Sequence, residues 1–370
     1  MRFIDTFQEQ LQNRPAMPFV EFMHHALYAP HVGYYSTGTS LFGPRGDFIT
    51  APELTPLFGY TLANQCQSIF NHLDHPILFE FGAGSGRLCV DLLTALKQLD
   101  ALPDEYHILD VSASLKSQQQ TLIQQEIPEL ADRVRWLSRW PSEPFEGVMI
   151  ANEVLDAMPV HRFLRTEHGL QESMVQLTPE GLFNEQFMPS TNPYLSAHVQ
   201  RVLTHAVVPY LSEVNLFIDD WLLQCHDVLA KGALLIIDYG FPQHEYYHPD
   251  RSQGTLMCHA KHRAHANPCH NPGAEDITAH VDFTHVAEAA YDAGFHVAGY
   301  TNQASFLLAN DLLNCLEAVP DGTLRFAAQQ AVKILTQPSE MGELFKVMAL
   351  TKHLDFPLTG FQLNDKRASL

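Results

Sequence analysis

The run Glu80-Phe81-Gly82-Ala83-Gly84-Ser85-Gly86 restricts the possible folds of this chain more than any other segment. It ends an apolar stretch, Ile77 to Phe81, and leads directly into a helical pattern from Arg87 to Leu99. Strand, glycine turn and helix in that order make the first unit of a parallel sheet covered by helices. Glycines at 82, 84 and 86 permit a tight turn, a close approach of the backbone to a ligand and close helix contact. A nucleotide-like cofactor is the expected occupant, and a structural turn is the alternative.

The same alternation continues downstream. Tyr106 to Val111 reads as a second strand, followed by a Gln-rich helix around 113 to 127; Arg133 to Leu137 and Gly147 to Ala151 read as the third and fourth. A helix from about 216 to 230, closing at Gly232, precedes the most apolar strand, Ala233 to Tyr239. Between the fourth and fifth strands, Val160 to Arg165 and Glu172 to Leu177 suggest a strand pair, and Pro193 to Leu211 suggests a helix. The tail adds helices around 283 to 294, 303 to 316 and 321 to 336, then a strand from Leu344 to Leu350. The expected division is 1–72 for N-terminal helices and a glycine-rich lid, 73–159 for the first part of the core, 160–215 for an insertion and 216–370 for the rest of the core, with an acceptor-facing loop at 250–282.

Asp110, at the end of the second strand, is placed to accept hydrogen bonds from a ribose diol. Two cofactor classes fit so far. The glycines are closer together than in the G-x-G-x-x-G pyrophosphate pattern, and Glu80 would repel two phosphates while welcoming a cationic sulfonium and an amino group. An adenosyl cofactor is therefore favoured over a nicotinamide dinucleotide. Trp140 and Asn152 are expected near the neighbouring strand ends, and the loop from Gly33 to Pro52, with Tyr34, Tyr35, Asp47 and Thr50, reads either as a plain surface loop or as a lid or ligand loop.

At this point the chain resembles the class I S-adenosylmethionine-dependent methyltransferases, and more closely the MidA-like family with its mitochondrial arginine methyltransferase member. The resemblance runs over nearly the whole chain. It includes Gly46-Asp47-Phe48-Ile49-Thr50-Ala51-Pro52-Glu53, the Glu80 to Gly86 loop, Asn152-Glu153-Val154-Leu155-Asp156-Ala157-Met158-Pro159, Ile237-Asp238-Tyr239-Gly240 and Thr278-Ala279-His280-Val281-Asp282-Phe283. Where that family commonly has Pro and Arg on either side of the second glycine, this chain has Ala83 and Ser85. The resemblance implies a Rossmann-like seven-stranded sheet with an N-terminal extension and a substrate-side insertion, S-adenosyl-L-methionine as cofactor, and a protein arginine as methyl acceptor.

Methyl transfer needs in-line approach more than a covalent nucleophile. If Asn152 begins a helical turn, Glu153 and Asp156 share a side and could hold a guanidinium by charge-assisted bonds. Glu153 is the expected principal residue, with Asp156, His280 and Asp282 secondary and Tyr239 shaping the pocket; helix capping and packing are the plain alternatives. Cys258-His259 through His265, followed by Cys269-His270, is not a clean zinc spacing, so no metal is expected and the segment is read as an acceptor-facing lid or a structural loop. A protein-assembly factor without strong catalysis, and an NAD-dependent oxidoreductase, remain the other functional readings.

Charge and cysteine usage narrow the partners. With 22 Lys and Arg against 42 Asp and Glu, the formal charge is -20, so no nucleic-acid partner is expected, and an acidic site would suit a cationic acceptor. The six Cys are scattered through a chain too large to need a disulfide scaffold, and no apolar run reaches the roughly 18 to 20 residues needed to span a bilayer. The start, Met1 to Phe7, lacks a basic and apolar leader, and Asp5 and Glu9 do not suit an arginine-rich presequence, so a cytoplasmic protein is expected. A protein substrate is expected, and a homodimer is allowed.

Overall fold

A computed structural model describes residues 2–37, 50–110, 112–260 and 263–370. Seven strands form the central sheet: β1 (Ile77–Phe81), β2 (Glu105–Leu109), β3 (Val134–Leu137), β4 (Phe145–Asn152), β5 (Leu229–Phe241), β6 (His296–Asn302) and β7 (Phe345–Lys352). Their order across the sheet is β6-β7-β5-β4-β1-β2-β3, and a two-residue strand, Val281–Asp282, adds to the end of β5. Strands β1 to β5 run parallel, while β7 is antiparallel to both β5 and β6. The order in which strands are laid down reverses between the parallel β1 and β4, which opens a crevice at their carboxyl ends where ligands of such sheets lie.

Strand alternation divides the core between the two faces. Leu78, Ile108, Val148, Ile150, Leu235 and Val347 pack with the helices Leu57–Phe70, Arg87–Gln98 and Thr323–Thr336. Phe79, Phe81, Met149, Leu234, Ile236 and Met348 pack on the other face with Ile218–Val228 and Phe283–Ala293. A third core joins the N-terminal helices Phe3–Leu11 and Phe19–Tyr28 to Val175, Leu256, Cys258 and Ile277. There Met17–Pro18 pairs with Val175 and Met174, so the N-terminal segment and the insertion share one sheet. That sheet also holds His161–Thr166, Gly169–Leu177, Phe183–Pro189 and Tyr210–Val214. A small sheet of Met257–Ala260, Arg263–His265 and Asp276–Thr278 closes the crevice from the side.

Four sequence expectations need correction. The helix beginning at Pro193 stops at Val202, and Tyr210–Val214 is a strand paired with His161–Arg165. The helix before β5 ends at Val228, so Gly232 is not its cap; it lies inside β5 at φ 145°, where a Cβ would come within 1.8 Å of the Gly147 carbonyl oxygen. The expected helix 303–316 breaks at Asn310 and Asp311, the latter at φ 66°, into Gln303–Ala309 and Leu312–Glu317. Strand β6 was not anticipated, because Gly299 and the polar His296, Thr301 and Asn302 interrupt its apolar alternation.

Candidate active site

A cavity of about 610 Å³ opens at the carboxyl ends of β1, β4 and β5. Its floor is the turn after β1. Gly82, Gly84 and Gly86 all have positive φ (58°, 53° and 89°), a conformation that glycine adopts without Cβ strain. At Gly86, which starts the helix Arg87–Gln98, a Cβ would sit 3.3 Å from Gln119. The Gln119 amide donates 3.0 Å to the Gly84 carbonyl and 2.9 Å to Asp110 Oδ2, and its oxygen accepts Trp136 Nε1 at 2.9 Å. Asp110 Oδ1 accepts the Ser112 N–H at 2.8 Å. The glycine turn and the end of β2 are thus locked to each other by one buried glutamine.

Beneath the turn, Glu80 takes a 2.6 Å hydrogen bond from the Tyr106 hydroxyl, and burial pushes its carboxyl up to about 7. Burial also raises the Asp110 carboxyl. Thr50 begins the short helix Ala51–Leu54 and lines the cavity, as does Asn152. From that helix Glu53 accepts a hydrogen bond from Ser85 of the glycine turn. Asp47 lies outside the described residues. Trp140 does not reach the cavity: it packs edge-on against Phe81 at 5.4 Å, on the sheet face opposite Glu80 and Leu78.

The opposite wall is acidic. No helical turn follows Asn152; Glu153 takes φ 53° in a tight turn, a conformation that costs a residue with a Cβ about 1 kcal/mol. Its N–H is held 2.9 Å from the Ile237 carbonyl. The buried Asp238 carboxylate, after Ile237 on β5, accepts the N–H groups of Leu155 and Asp156 at 3.0 and 3.2 Å and so fixes the rest of the turn. Both Glu153 and Asp156 face the cavity. Burial, reinforced by the neighbouring Asp156 charge, pushes the Glu153 carboxyl up to about 8; burial raises Asp156 to about 6, against a hydrogen bond from the Tyr239 hydroxyl.

His280 also lines the cavity, with its ring stacked on Phe241 at 5.3 Å and edge-on to Tyr239 at 5.1 Å; burial depresses it to about 4 and keeps it neutral. Asp282 is elsewhere. It caps the helix Phe283–Ala293 by accepting the Thr284 and His285 N–H groups at 3.0 and 3.2 Å, and does not line the cavity. Its expected catalytic position is thereby corrected to a helix cap.

Several lining residues escaped the sequence reading. Asp276, on the small sheet, accepts the Tyr35 hydroxyl on both oxygens at 3.1 Å, and Tyr28, stacked on Tyr35, donates 2.8 Å to the Ala157 carbonyl. The Tyr35 carbonyl in turn accepts Ser112 Oγ at 2.6 Å, so one tyrosine spans from the end of β2 to the acidic wall. Glu53 stands in a quoted motif, and Asp276 precedes another; Gln119 carries no local signal among so many glutamines.

Comparison with known proteins follows this geometry. A family described as "Putative S-adenosyl-L-methionine-dependent methyltransferase" matches residues 61–301. A Burkholderia thailandensis protein, crystallised with S-adenosyl-homocysteine bound, is 40% identical with a TM-score of 0.95, over 100% of this chain and 96% of that one. The zebrafish (Danio rerio) mitochondrial protein arginine methyltransferase NDUFAF7 is 28% identical over 358 residues, 89% of this chain and 82% of its own length. Its human (Homo sapiens) counterpart is 26% identical over 378 residues, 94% and 83% of the two chains. The zebrafish and human relatives, like those from cattle, rat and fly, are mitochondrial proteins, and this overturns the cytoplasmic placement read from the first residues. Among the described residues, no helix is long and apolar enough to cross a membrane.

Proposed function

The chain belongs to this family of S-adenosyl-L-methionine-dependent methyltransferases, and from that premise we propose that its acceptor is the guanidinium of a protein arginine. One observation carries the reading. Beside Glu153, the buried oxygen Asp156 Oδ1 has no hydrogen-bond partner among the described residues, and its side chain lines the cavity that holds the glycine turn. A buried acceptor without a donor is costly, and a planar guanidinium brings five N–H donors. Relatives named as protein arginine methyltransferases, matched over about four-fifths of their length, support the same class of acceptor.

The residues divide the work as follows. The turn at Gly82, Gly84 and Gly86 accommodates the cofactor against the backbone, Asp110 accepts from its ribose, and Thr50, Glu80 and Asn152 flank it. Bound S-adenosyl-L-methionine supplies an electrophilic methyl group on a positively charged sulfur. An arriving guanidinium favours ionised Glu153, overcoming the burial that holds it protonated in the empty cavity, and the carboxylate then aligns one nitrogen for in-line transfer. Asp156, hydrogen-bonded by Tyr239, is the second carboxylate and the acceptor for the proton that the methylated nitrogen loses. Neutral His280, whose Nδ1 is buried without a partner among the described residues, completes the polar wall.

Incubation with methyl-labelled S-adenosyl-L-methionine and a lysate from cells lacking the gene tests this. Hydrolysis of the labelled protein should yield methylated arginine, and the label should vanish with Glu153→Gln. Label on another kind of atom would overturn the arginine acceptor. Full binding of S-adenosyl-homocysteine with no label anywhere would favour a binding role in protein assembly.

A further inference from the structure

We propose that His265, His270 and Glu275 form a site for one divalent transition-metal ion of the zinc kind, at the outer edge of the small sheet beside the cavity. His265 ends the strand Arg263–His265, His270 lies in the turn that follows, and Glu275 immediately precedes the strand Asp276–Thr278. Nε2 of His265 is 3.0 Å from Glu275 Oε2, and Nδ1 of His270 is 2.9 Å from Oε1. One ligand atom from each residue lies within 4.8 Å of the other two. Zinc binds imidazole nitrogen and carboxylate oxygen at roughly 2.0 to 2.2 Å, which sets tetrahedral ligand atoms about 3.3 Å apart. The two His–Glu275 contacts are already near that spacing.

Charge supports the ion independently of spacing. The Glu275 side chain is only 8% exposed, and its ion-pair partners among the described residues are these two histidines, which carry charge only when protonated. A divalent ion here would give this buried carboxylate a lasting counter-charge and take one nitrogen from each ring. Ligation replaces the two imidazole hydrogen bonds to Glu275 and costs a third contact. Nδ1 of His265 now accepts the Asn267 N–H at 3.2 Å and would have to carry the proton instead; Asn267 is exposed, so water can replace that bond.

The ligand set is not the run of Cys and His whose spacing is unlike a zinc site, and it overturns the expectation of no metal. Cys258 is fully buried in the third core and Cys269 packs against that core. Water at the exposed side of His270, which is 64% exposed, would complete the coordination. The ion would not touch the reacting atoms. By fixing Glu275 it would stiffen the next residue, Asp276, which lines the cavity and holds Tyr35.

The test uses the full chain, dialysed against chelator and titrated with zinc in competition with a chromophoric chelator, with bound metal counted by mass spectrometry. We expect one zinc per chain at a dissociation constant below about 1 μM, and a rise in melting temperature on adding zinc. His270→Ala, at an exposed position, should weaken binding at least about tenfold and abolish that rise; Glu275→Gln should do the same, and Cys269→Ser should keep the metal. Binding weaker than about 10 μM would overturn the proposal, as would equal retention by His270→Ala and the parent. Loss of zinc in Cys269→Ser with retention in His270→Ala would do so as well. If Glu275→Gln fails to fold, the His270 variant still decides.

Discussion

A single run of chain, from Glu80 to Gln119, lays down the glycine turn, the Asp110 carboxylate and the glutamine that ties them together. The acidic wall across the same cavity draws Tyr28 and Tyr35, Glu153 and Asp156, Tyr239, Asp276 and His280 from segments far apart in the chain. The first region depends on local backbone geometry set by one strand-turn-helix unit. The second exists only once the insertion, the N-terminal helices and the small sheet have packed around β4 and β5. The two can therefore fail separately, and variants can be chosen to make them do so.

The sharpest break should come from Glu153→Gln, which keeps the shape of the wall and removes the charge. We expect methyl transfer to fall by about 100-fold or more, with S-adenosyl-homocysteine affinity by calorimetry within about twofold of the parent. Comparable loss of both would merge the two regions into one. Asp110→Ala should do the converse and weaken S-adenosyl-homocysteine by about 10- to 100-fold, the worth of its charge-assisted bonds. Calorimetry checks this too, and unchanged affinity would remove Asp110 from the cofactor side.

The acidic wall also predicts a pH response. Glu153 is raised to about 8 and Asp156 to about 6, so transfer measured at saturating cofactor should rise about 50-fold between pH 6 and 8 as the acceptor site ionises, and level off only above about pH 9. Stability should run the other way. A carboxyl raised in the folded protein keeps its proton after the unfolded chain has lost it, so folding stability falls as pH rises from the unfolded value near 4.5 to about 8. Melting temperature against pH should show that decline, and Glu153→Gln should flatten it. The smallest effect belongs to Trp140→Phe: cofactor affinity should stay within about twofold, and stability should drop by about 1 kcal/mol through lost packing on Phe81.

Legibility in the sequence followed the same division. Strand β1 begins and ends where its apolar run does, and the glycines at 82, 84 and 86 take the positive φ that their spacing suggests, because both are local properties. The family motifs carried Glu153, Asp156 and His280 to the cavity, yet they could not show that Asp282 turns away to cap a helix or that Trp140 sits across the sheet. Which side of a strand end a residue serves is decided by packing with distant elements. Tyr210–Val214 shows the same limit in the fold: its edge pairing with His161–Arg165 overrides the helical reading of Pro193 to Leu211. Asp276 and Tyr35 meet only after the N-terminal segment docks on the small sheet, and no spacing in the chain announces that contact.

A crystal structure of this protein with S-adenosyl-homocysteine tests the division of the cavity most directly. The account predicts the ribose on Asp110, the homocysteine along the Gly82 to Gly86 turn, and the sulfur opening toward Glu153 and Asp156. A ribose seated on Glu153 and Asp156, or a sulfur facing away from both carboxylates, would contradict it.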